Sequence, residues 1–555
     1  MSGVFTQALL NMNYTIIPLT RQRNETVGRG YPTLGLTKVR KSCMLYSGFH
    51  SASSSLKIKF IQGGEESVMT LDLNVAYMKS SFARVVRDGD SVVIWHSLFG
   101  YPKVVSVETL EFLELFSAPT TICSQLGDEL TDEDREAIEE LLRCYFLVPE
   151  NFDDRIFLEE KMREREAEIV SGSLINYLEL IMSEACNFRC TYCIHFSNLE
   201  TSDRINNPKK FMRFDTAKEA VGRYLEILRG HEKRVAEINF GGGEPLLAWP
   251  VIKQVLEYCR TAYGSEFEFR FSINTNASLI TPEIAVTLKR HQVKIASSLD
   301  GLCEGNDRVR LTKSGGGTFF QIMRGFDVLA RVGYPLDGIA ATVTEKNFHE
   351  LDESIIDWAV ARGMKNVRID IDVVGMVEIP IEDVVAKLMR IRRYAAVRGV
   401  DVPGFWSRPA ENLNESTLES RVAFCGAVRG NNMCVGPSGN IYGCGYSTIQ
   451  LGNLSKIQLF YAPGTAYHRF VRDHLTGAME MCRGCMIEGQ CGGGCNITQE
   501  FARATKTAKI ERMCDFYRHM TQEILREQLR KAITVESESL RTITEGGESH
   551  AEGAT

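Results

Sequence analysis

The chain has 555 residues, is 44% hydrophobic and 24% charged, and carries a net charge of −7. That length predicts three or four domains with a sizeable core, and the negative balance argues against nucleic acid as a partner, because phosphate binding needs basic surface. No apolar run approaches ~20 residues, so no membrane span is expected, and the start MSGVFTQALLNMNY lacks both the basic start and the apolar core of a signal peptide, which predicts a cytoplasmic protein.

Residues 1–90 show no pattern that assigns them a role. Between 91 and 150, SVVIWHSLFG reads as a strand and Val107–Phe116 as a helix. Thr131 can cap a second helix with Ile138, Leu141 and Leu142 on one face, and Phe146–Val148 reads as a closing strand. Strand, helices and a returning strand predict a small winged-helix-like α+β unit. Residues 101–150 hold twelve Asp or Glu against three Lys or Arg, a balance that repels DNA. A purely structural extension is the plain alternative. Residues 151–173 read as a charged helical linker with a solvated face.

From 174 to 385 strands and helices alternate. The strand-like runs are Tyr177–Met182, Glu237–Phe240, Glu268–Ile273, Lys294–Leu299, Gly338–Val343 and Asn366–Val373. This alternation predicts an α/β fold, a parallel sheet with helices outside, and ligands at the carboxyl ends of the strands. An amphipathic helix over Glu382–Arg398, with Val385, Leu388, Met389 and Ile391 at helical intervals, leads into a cysteine-rich segment, 386–520. Residues 521–555 are expected to finish a helix and then, from about 534, to form a disordered acidic tail.

Sixteen cysteines in a long chain without a signal, gathered in clusters, point to metal rather than disulfides. Cys186, Cys190 and Cys193, spaced Cys-x3-Cys-x2-Cys, lie on the loop leaving the Tyr177–Met182 run. Three thiolates can hold three corners of an iron–sulfur cube and leave one iron open, and an open position marks a catalytic metal site. Structural zinc is the alternative, though it favours paired Cys-x2-Cys knuckles. A Gly-rich turn, Gly241–Pro245, follows the strand run Ile238–Phe240: its glycines allow close approach of backbone to a ligand, and Glu244 suits an ammonium group. Further on, Cys425, Cys434, Cys444, Cys482, Cys485, Cys491, Cys495 and Cys514 are enough for two four-thiolate clusters, with a zinc ribbon at Cys482–Cys485 as the alternative. Cys43, Cys123, Cys144, Cys259 and Cys303 are scattered and read as small buried hydrophobes, although Cys303 follows the strand-end motif SLDG.

The triad, with Tyr192 before its last cysteine, then GGGEP at 241–245, FSINTN at Phe271–Asn276 and IASSLDG at Ile295–Gly301, resembles the radical S-adenosylmethionine (SAM) enzymes. The resemblance implies a partial (β/α)6 barrel in which Gly242, Gly243 and Glu244 hold the amino group of SAM. It places Asn276 near SAM, Ser298 near its ribose and Asp300 near the substrate. The family usually has Gly where this chain has Ala277. The second cysteine field is similar to the SPASM extension of these enzymes, which implies a crossed arrangement: Cys425, Cys434, Cys444 and Cys495 on one auxiliary cluster, and Cys482, Cys485, Cys491 and Cys514 on the other. The seven-cysteine core of that extension does not require Cys434. The unit at 91–150 resembles the elements that bind a precursor's leader peptide as an added strand.

Taken together, the resemblance implies an enzyme with three 4Fe–4S clusters and SAM. Its expected product is a thioether or carbon–carbon crosslink in a ribosomally made precursor peptide. Expected partners are that precursor with its leader and an electron donor such as flavodoxin or ferredoxin, with no nucleic acid and no membrane. Two alternatives stay open: a formylglycine-generating maturase of sulfatases, whose relatives carry Asp where this chain has Gly445, and a non-catalytic metal-containing peptide-binding protein.

Overall fold

The computed structural model describes residues 58–62, 65–69, 71–89, 91–127, 130–194, 211–372, 378–414, 418, 423–505 and 509–548. Cys43 lies outside them. Strands β1 (Ile58–Gln62) and β2 (Glu65–Met69) form an antiparallel hairpin. Next come β3 (Ala76–Lys79), β4 (Ala83–Asp88), β5 (Ser91–His96), β6 (Gly100–Val105), α1 (Val107–Glu114), β7 (Thr120–Thr121), α2 (Ile122–Leu126), α3 (Asp132–Arg143) and β8 (Leu147–Pro149).

The run at 91–100, read as one strand, is broken. His96 Nδ1 accepts from the backbone N–H groups of Leu98 and Phe99, each at 3.2 Å, and this turns the chain so that β6 pairs antiparallel with β5. Strand periodicity then divides β5 between two cores. Val92 and Ile94 face Leu110, Phe112, Ile138, Leu141 and Leu142 of the unit's own helices. Val93 and Trp95 face the other way, with Val86 and Val104, onto Leu413, Leu525 and Leu529. The β4–β6 sheet is thus sandwiched between its own helices and the C-terminal part of the chain. Thr131 and Asp134 form a capping box at the start of α3. Strand β8 returns to β3, not to β4–β6, so its sheet draws on residues before 91.

The linker is helix α4 (Asp154–Ser171), capped by the Asp153 side chain and ended by Gly172 at φ +75°. Its charges are less solvated than expected. Phe157 and Leu158 are buried, Glu166 meets His468 at 2.6 Å, and Arg155 pairs with Glu488.

Six parallel strands follow: β9 (Tyr177–Ser183), β10 (Val235–Gly242), β11 (Glu268–Thr275), β12 (Lys294–Ser297), β13 (Gly338–Val343) and β14 (Asn366–Ile371). β9 to β12 are hydrogen-bonded in that order, β13 pairs with β14, and a bridge from Ser298 to Ala340 joins the two groups. Strand β9 is buried along nearly its whole length, as expected of a parallel strand covered on both faces. The outer helices include α5 (Phe214–Gly230), α6 (Trp249–Tyr263), α7 (Pro282–Arg290), α8 (Cys303–Val309), α9 (Phe319–Arg331), α10 (Ser354–Ala361) and α11 (Ile381–Ala396). Each long one buries an apolar stripe, such as Ile322, Phe326 and Leu329 of α9.

The C-terminal part contains α12 (Arg408–Leu413), β15 (Asn432–Val435), β16 (Asn440–Tyr442), β17 (Gly452–Asn453), α13 (Ala466–Arg472), α14 (Glu488–Cys491), α15 (Asn496–Thr505) and α16 (Lys509–Glu548). β15 pairs in parallel with β9 on the edge opposite β10, so the barrel sheet runs on without a break into the cysteine-rich segment. Helix α16 continues to Glu548, past the point where composition predicted a tail; a polar sequence can lack core-forming residues and still carry helix formers. Among the described residues, no helix is long and apolar enough to cross a membrane.

Candidate active site

The triad loop leaves β9 at Ser183, whose hydroxyl accepts from Ala185 N at 3.0 Å. The loop is held against the chain after α8: Arg189 N donates to Leu311 O (2.6 Å) and Thr191 N to Val309 O (2.9 Å). Cys186, Cys190 and Cys193 are brought together. Burial pushes the Cys186 thiol up to about 12, with Glu244, Cys190 and Cys193 adding to it. Burial likewise pushes Cys190 up to about 11, against the pull of Arg310.

The Gly-rich turn packs directly beneath this loop. Gly243 N donates to Ser183 O (2.7 Å) and Glu244 N to Ala185 O (2.9 Å). Gly242 has φ +114°, and a Cβ on Gly242 or Gly243 would run into the carbonyls of Ser183 or Ala185, so both positions require glycine. Glu244 is fully buried. Its carboxylate accepts from Leu246 N (3.0 Å), Thr275 Oγ1 (2.7 Å) and Asn276 N (2.8 Å). Burial still pushes it up to about 7. Asn276 Nδ2 donates to Asn187 Oδ1 (2.9 Å) and lies 4.0 Å from Cys186 Sγ, so the ends of β10 and β11 both reach the triad. Ala277 takes up φ +62°, the left-handed conformation that explains the glycine usual in the family. Ser298 is half-buried just beyond β12.

Asp300 does not stand open to a substrate. It is fully buried, with its carboxylate 2.7 Å from Arg310 Nε, and it accepts from Tyr192 Oη (2.6 Å) and Thr342 N (2.8 Å). Arg310 Nη1 in turn reaches to 3.9 Å from Cys190 Sγ. The aromatic inside the triad motif is therefore tied through Asp300 to a cation beside a triad thiol. Sequence reading missed Arg310, since nothing local marks it. Cys303 is exposed, 3.8 Å from Asp307 Oδ2.

Seven further cysteines fall in two groups, with Cys434 in neither of them. Cys444, raised by burial and then by Glu179, also has Cys495 and Cys425 as neighbours. Burial pushes Cys495 up to about 11, with Cys425 beside it. Burial pushes Cys482 up to about 12, followed by Cys514 and Cys485. Cys491, buried and raised by that burial, has Cys514, Cys482 and Cys485 as its neighbours. Cys434 is placed on β15, packed with Ile181 and Tyr442, and its thiol hydrogen-bonds Glu179. Among the described residues no group of three or more His, Cys, Asp or Glu side chains is drawn up around a single ion.

Tyr446, half of whose surface is exposed, has Glu179, Cys193, Cys444 and Arg368 as its electrostatic neighbours, so it is near both the triad and Cys444. Glu179 is buried in the middle of β9, and its Oε2 accepts from Gly445 N at 3.0 Å. A Cβ on Gly445 would lie 2.6 Å from Glu179 Oε1. The space that an aspartate at 445, in the turn after β16, would enter is filled by the Glu179 carboxylate from β9. The signal for Glu179 was present in YLELIM, an acid inside an otherwise apolar run.

Residues 180–355 match the Radical SAM superfamily, so the chain carries a radical SAM domain, a class whose cofactors are a 4Fe–4S cluster and SAM. Among curated proteins it is similar to the radical SAM cyclopropyl synthase TigE of Paramaledivibacter caminithermalis, 22% identical over 455 residues, 80% of this chain and 94% of that protein. It is also similar to a cysteine-type anaerobic sulfatase-maturating enzyme of Clostridium novyi, 30% identical over 173 residues, 30% of this chain and 42% of that one. Among solved structures, native anSMEcpe with bound AdoMet shares the fold, with a TM-score of 0.50 and 18% identity over 65% of this chain and all of that one. The residues present fit a three-thiolate cluster: three cysteines gather at the end of β9, over a turn whose glycines leave the backbone bare, with the Glu244 carboxylate below.

If Glu244 holds an ammonium group, it does so as a carboxylate. Its raised pKa means that the charged form is gained as pH rises through about 7, so SAM affinity should increase between pH 6 and pH 8. In Glu244→Gln that rise should vanish and affinity should fall about 10- to 100-fold, the worth of one hydrogen bond to a charged group. Calorimetric titration of the reconstituted enzyme with SAM at both pH values checks it.

Proposed function

We propose that the protein is a radical SAM peptide maturase that forms a crosslink, thioether or carbon–carbon, in a ribosomally made precursor. The observation that carries this reading is Tyr446, an exposed side chain that has Cys193 of the triad and Cys444 of the next group among its electrostatic neighbours, together with Glu179 and Arg368. That is a polar site near cysteines of both groups. When bound, the triad cluster and SAM supply one-electron cleavage to methionine and a 5′-deoxyadenosyl radical, which takes a hydrogen atom from the substrate; closing the new bond then releases one proton and one electron. The proposed acceptors of that electron are auxiliary clusters on Cys425, Cys444 and Cys495, with Cys434 as the fourth ligand implied by resemblance, and on Cys482, Cys485, Cys491 and Cys514. Flavodoxin or ferredoxin is the proposed donor.

Likeness to TigE along nearly the whole of that protein supports a carbon–carbon bond, since its name describes closure of a carbon ring. Formylglycine formation is the second reading. The carboxylate that Glu179 supplies beside Gly445 favours it, while the long N-terminal part favours a leader-dependent maturase. In the leader-dependent reading the acidic unit at 91–150 takes a basic leader by strand addition.

The test uses short peptides encoded beside the gene, with the full enzyme, SAM and dithionite. A peptide product lacking two hydrogen atoms supports the maturase; an aldehyde on a sulfatase peptide would replace it with the second reading. Cys491→Ala should keep part of the 5′-deoxyadenosine formation and lose the modified peptide. Full product from that variant would place electron acceptance elsewhere.

A further inference from the structure

The turn between β5 and β6 enters the loop that carries Cys485 and Cys491. Trp95 Nε1 donates to Met486 O at 2.8 Å, and Gly489 N donates to Ser97 O at 2.8 Å. A Cβ on Gly489 would be driven into the Leu98 carbonyl, so the two backbones touch with no room for a side chain. Gln490, its amide oriented to suit its neighbours, donates to Ser97 O and accepts from Gly100 N, both at 3.1 Å. From α4, Arg155 makes a bidentate pair with Glu488, 2.5 and 2.7 Å, and Glu488 Oε2 also accepts from Gly484 N at 3.0 Å, within the Cys482–Cys485 knuckle. Glu488 and Gln490 are 1% and 0% exposed, so these contacts are interior ones.

The turn is held rigid from its other side. His96 is fully buried and stacks on Phe99, with ring centroids 4.0 Å apart. Its Nδ1 accepts two backbone N–H groups, which leaves the proton on Nε2 to be donated to Asp154 Oδ1 at 2.8 Å. Ser80 Oγ donates to the same carboxylate oxygen at 3.1 Å. Asp154 and Arg155 are consecutive, so one end of α4 grips both the turn and the cysteine loop.

We propose that the N-terminal unit, through Ser97 and Leu98, together with Arg155 of the linker helix α4, forms one wall of the site that holds the Cys482, Cys485, Cys491 and Cys514 group, and that Glu488 is the positioning residue that joins unit, linker and site. This rests on the reading of that group as an auxiliary cluster. Whatever binds the N-terminal unit then acts on the same rigid body that shapes the cluster loop, and deleting the unit removes the wall along with any leader site.

The test compares full-length Gly489→Ala, Glu488→Gln and Cys491→Ala enzymes with the unaltered one after anaerobic reconstitution. Iron, acid-labile sulfide, the electron paramagnetic resonance spectrum of the reduced protein and dithionite-driven 5′-deoxyadenosine formation are read in each. Cys491→Ala should lose about four of about twelve irons. Gly489→Ala should lose the same share and keep 5′-deoxyadenosine formation, because the triad is untouched. Glu488→Gln keeps the side chain's shape and guards against a folding defect; it should show a shifted spectrum for the same cluster. Full iron and an unchanged spectrum in both Gly489→Ala and Glu488→Gln would overturn the proposal. If Cys491→Ala keeps all its iron, it is the cluster assignment that fails.

Discussion

Replacing any one of Cys186, Cys190 or Cys193 with alanine should abolish reductive cleavage of SAM. Each is one of three thiols on a short loop, and each would hold a separate iron corner, so no neighbour can substitute for it. The loop itself should survive. Its backbone bonds to Val309 and Leu311 do not involve the thiols, and the Gly243 and Glu244 bonds to Ser183 and Ala185 hold its base. Iron should therefore fall by one cluster's share while the helical circular dichroism signal stays. Anaerobic reconstitution followed by chromatographic measurement of 5′-deoxyadenosine reads the effect, and wild-type turnover in any of the three variants would refute the assignment.

The second large effect is expected at Asp300→Ala. Asp300 and Arg310 form a buried ion pair; removing one partner of such a pair costs about 3–5 kcal/mol, because the remaining charge is left uncompensated. Tyr192 Oη and Thr342 N lose their acceptor at the same time. The consequence should reach the triad, since Arg310 lies beside Cys190 and Tyr192 lies between Cys190 and Cys193. The variant should retain less iron at the triad and unfold at lower temperature, as scanning calorimetry and iron analysis of the same sample would show. Asp300→Asn, which keeps the shape and one acceptor oxygen, should be milder. An Asp300→Ala protein with full iron and unchanged melting would make the pair dispensable.

The six barrel strands were legible because each is a short apolar run set between helical patterns, a signal contained within a few residues. The triad and the Gly-rich turn were legible for the same reason. Contacts between distant parts of the chain were not. Nothing in Asn432–Val435 announces that it will pair with β9, and nothing in Arg310 points to Asp300 or Cys190. The turn at His96 was hidden inside an apolar run, because a buried histidine accepting two backbone N–H groups looks, in sequence, like any strand residue. The buried pairing of Asp300 with Arg310 was not legible, since resemblance transfers a motif without the neighbours that surround its side chain. Glu179 is the instructive case: the acid in an apolar strand was visible, and its meaning required Gly445, 266 positions away.

Metal analysis of the whole protein tests the account most directly. Anaerobically purified and reconstituted enzyme should carry about twelve irons with matching acid-labile sulfide, the content of three 4Fe–4S clusters. The triple variant Cys186→Ala, Cys190→Ala, Cys193→Ala should carry about eight and form no 5′-deoxyadenosine. Stoichiometric zinc in place of iron, or an unchanged iron content in the triple variant, would contradict it.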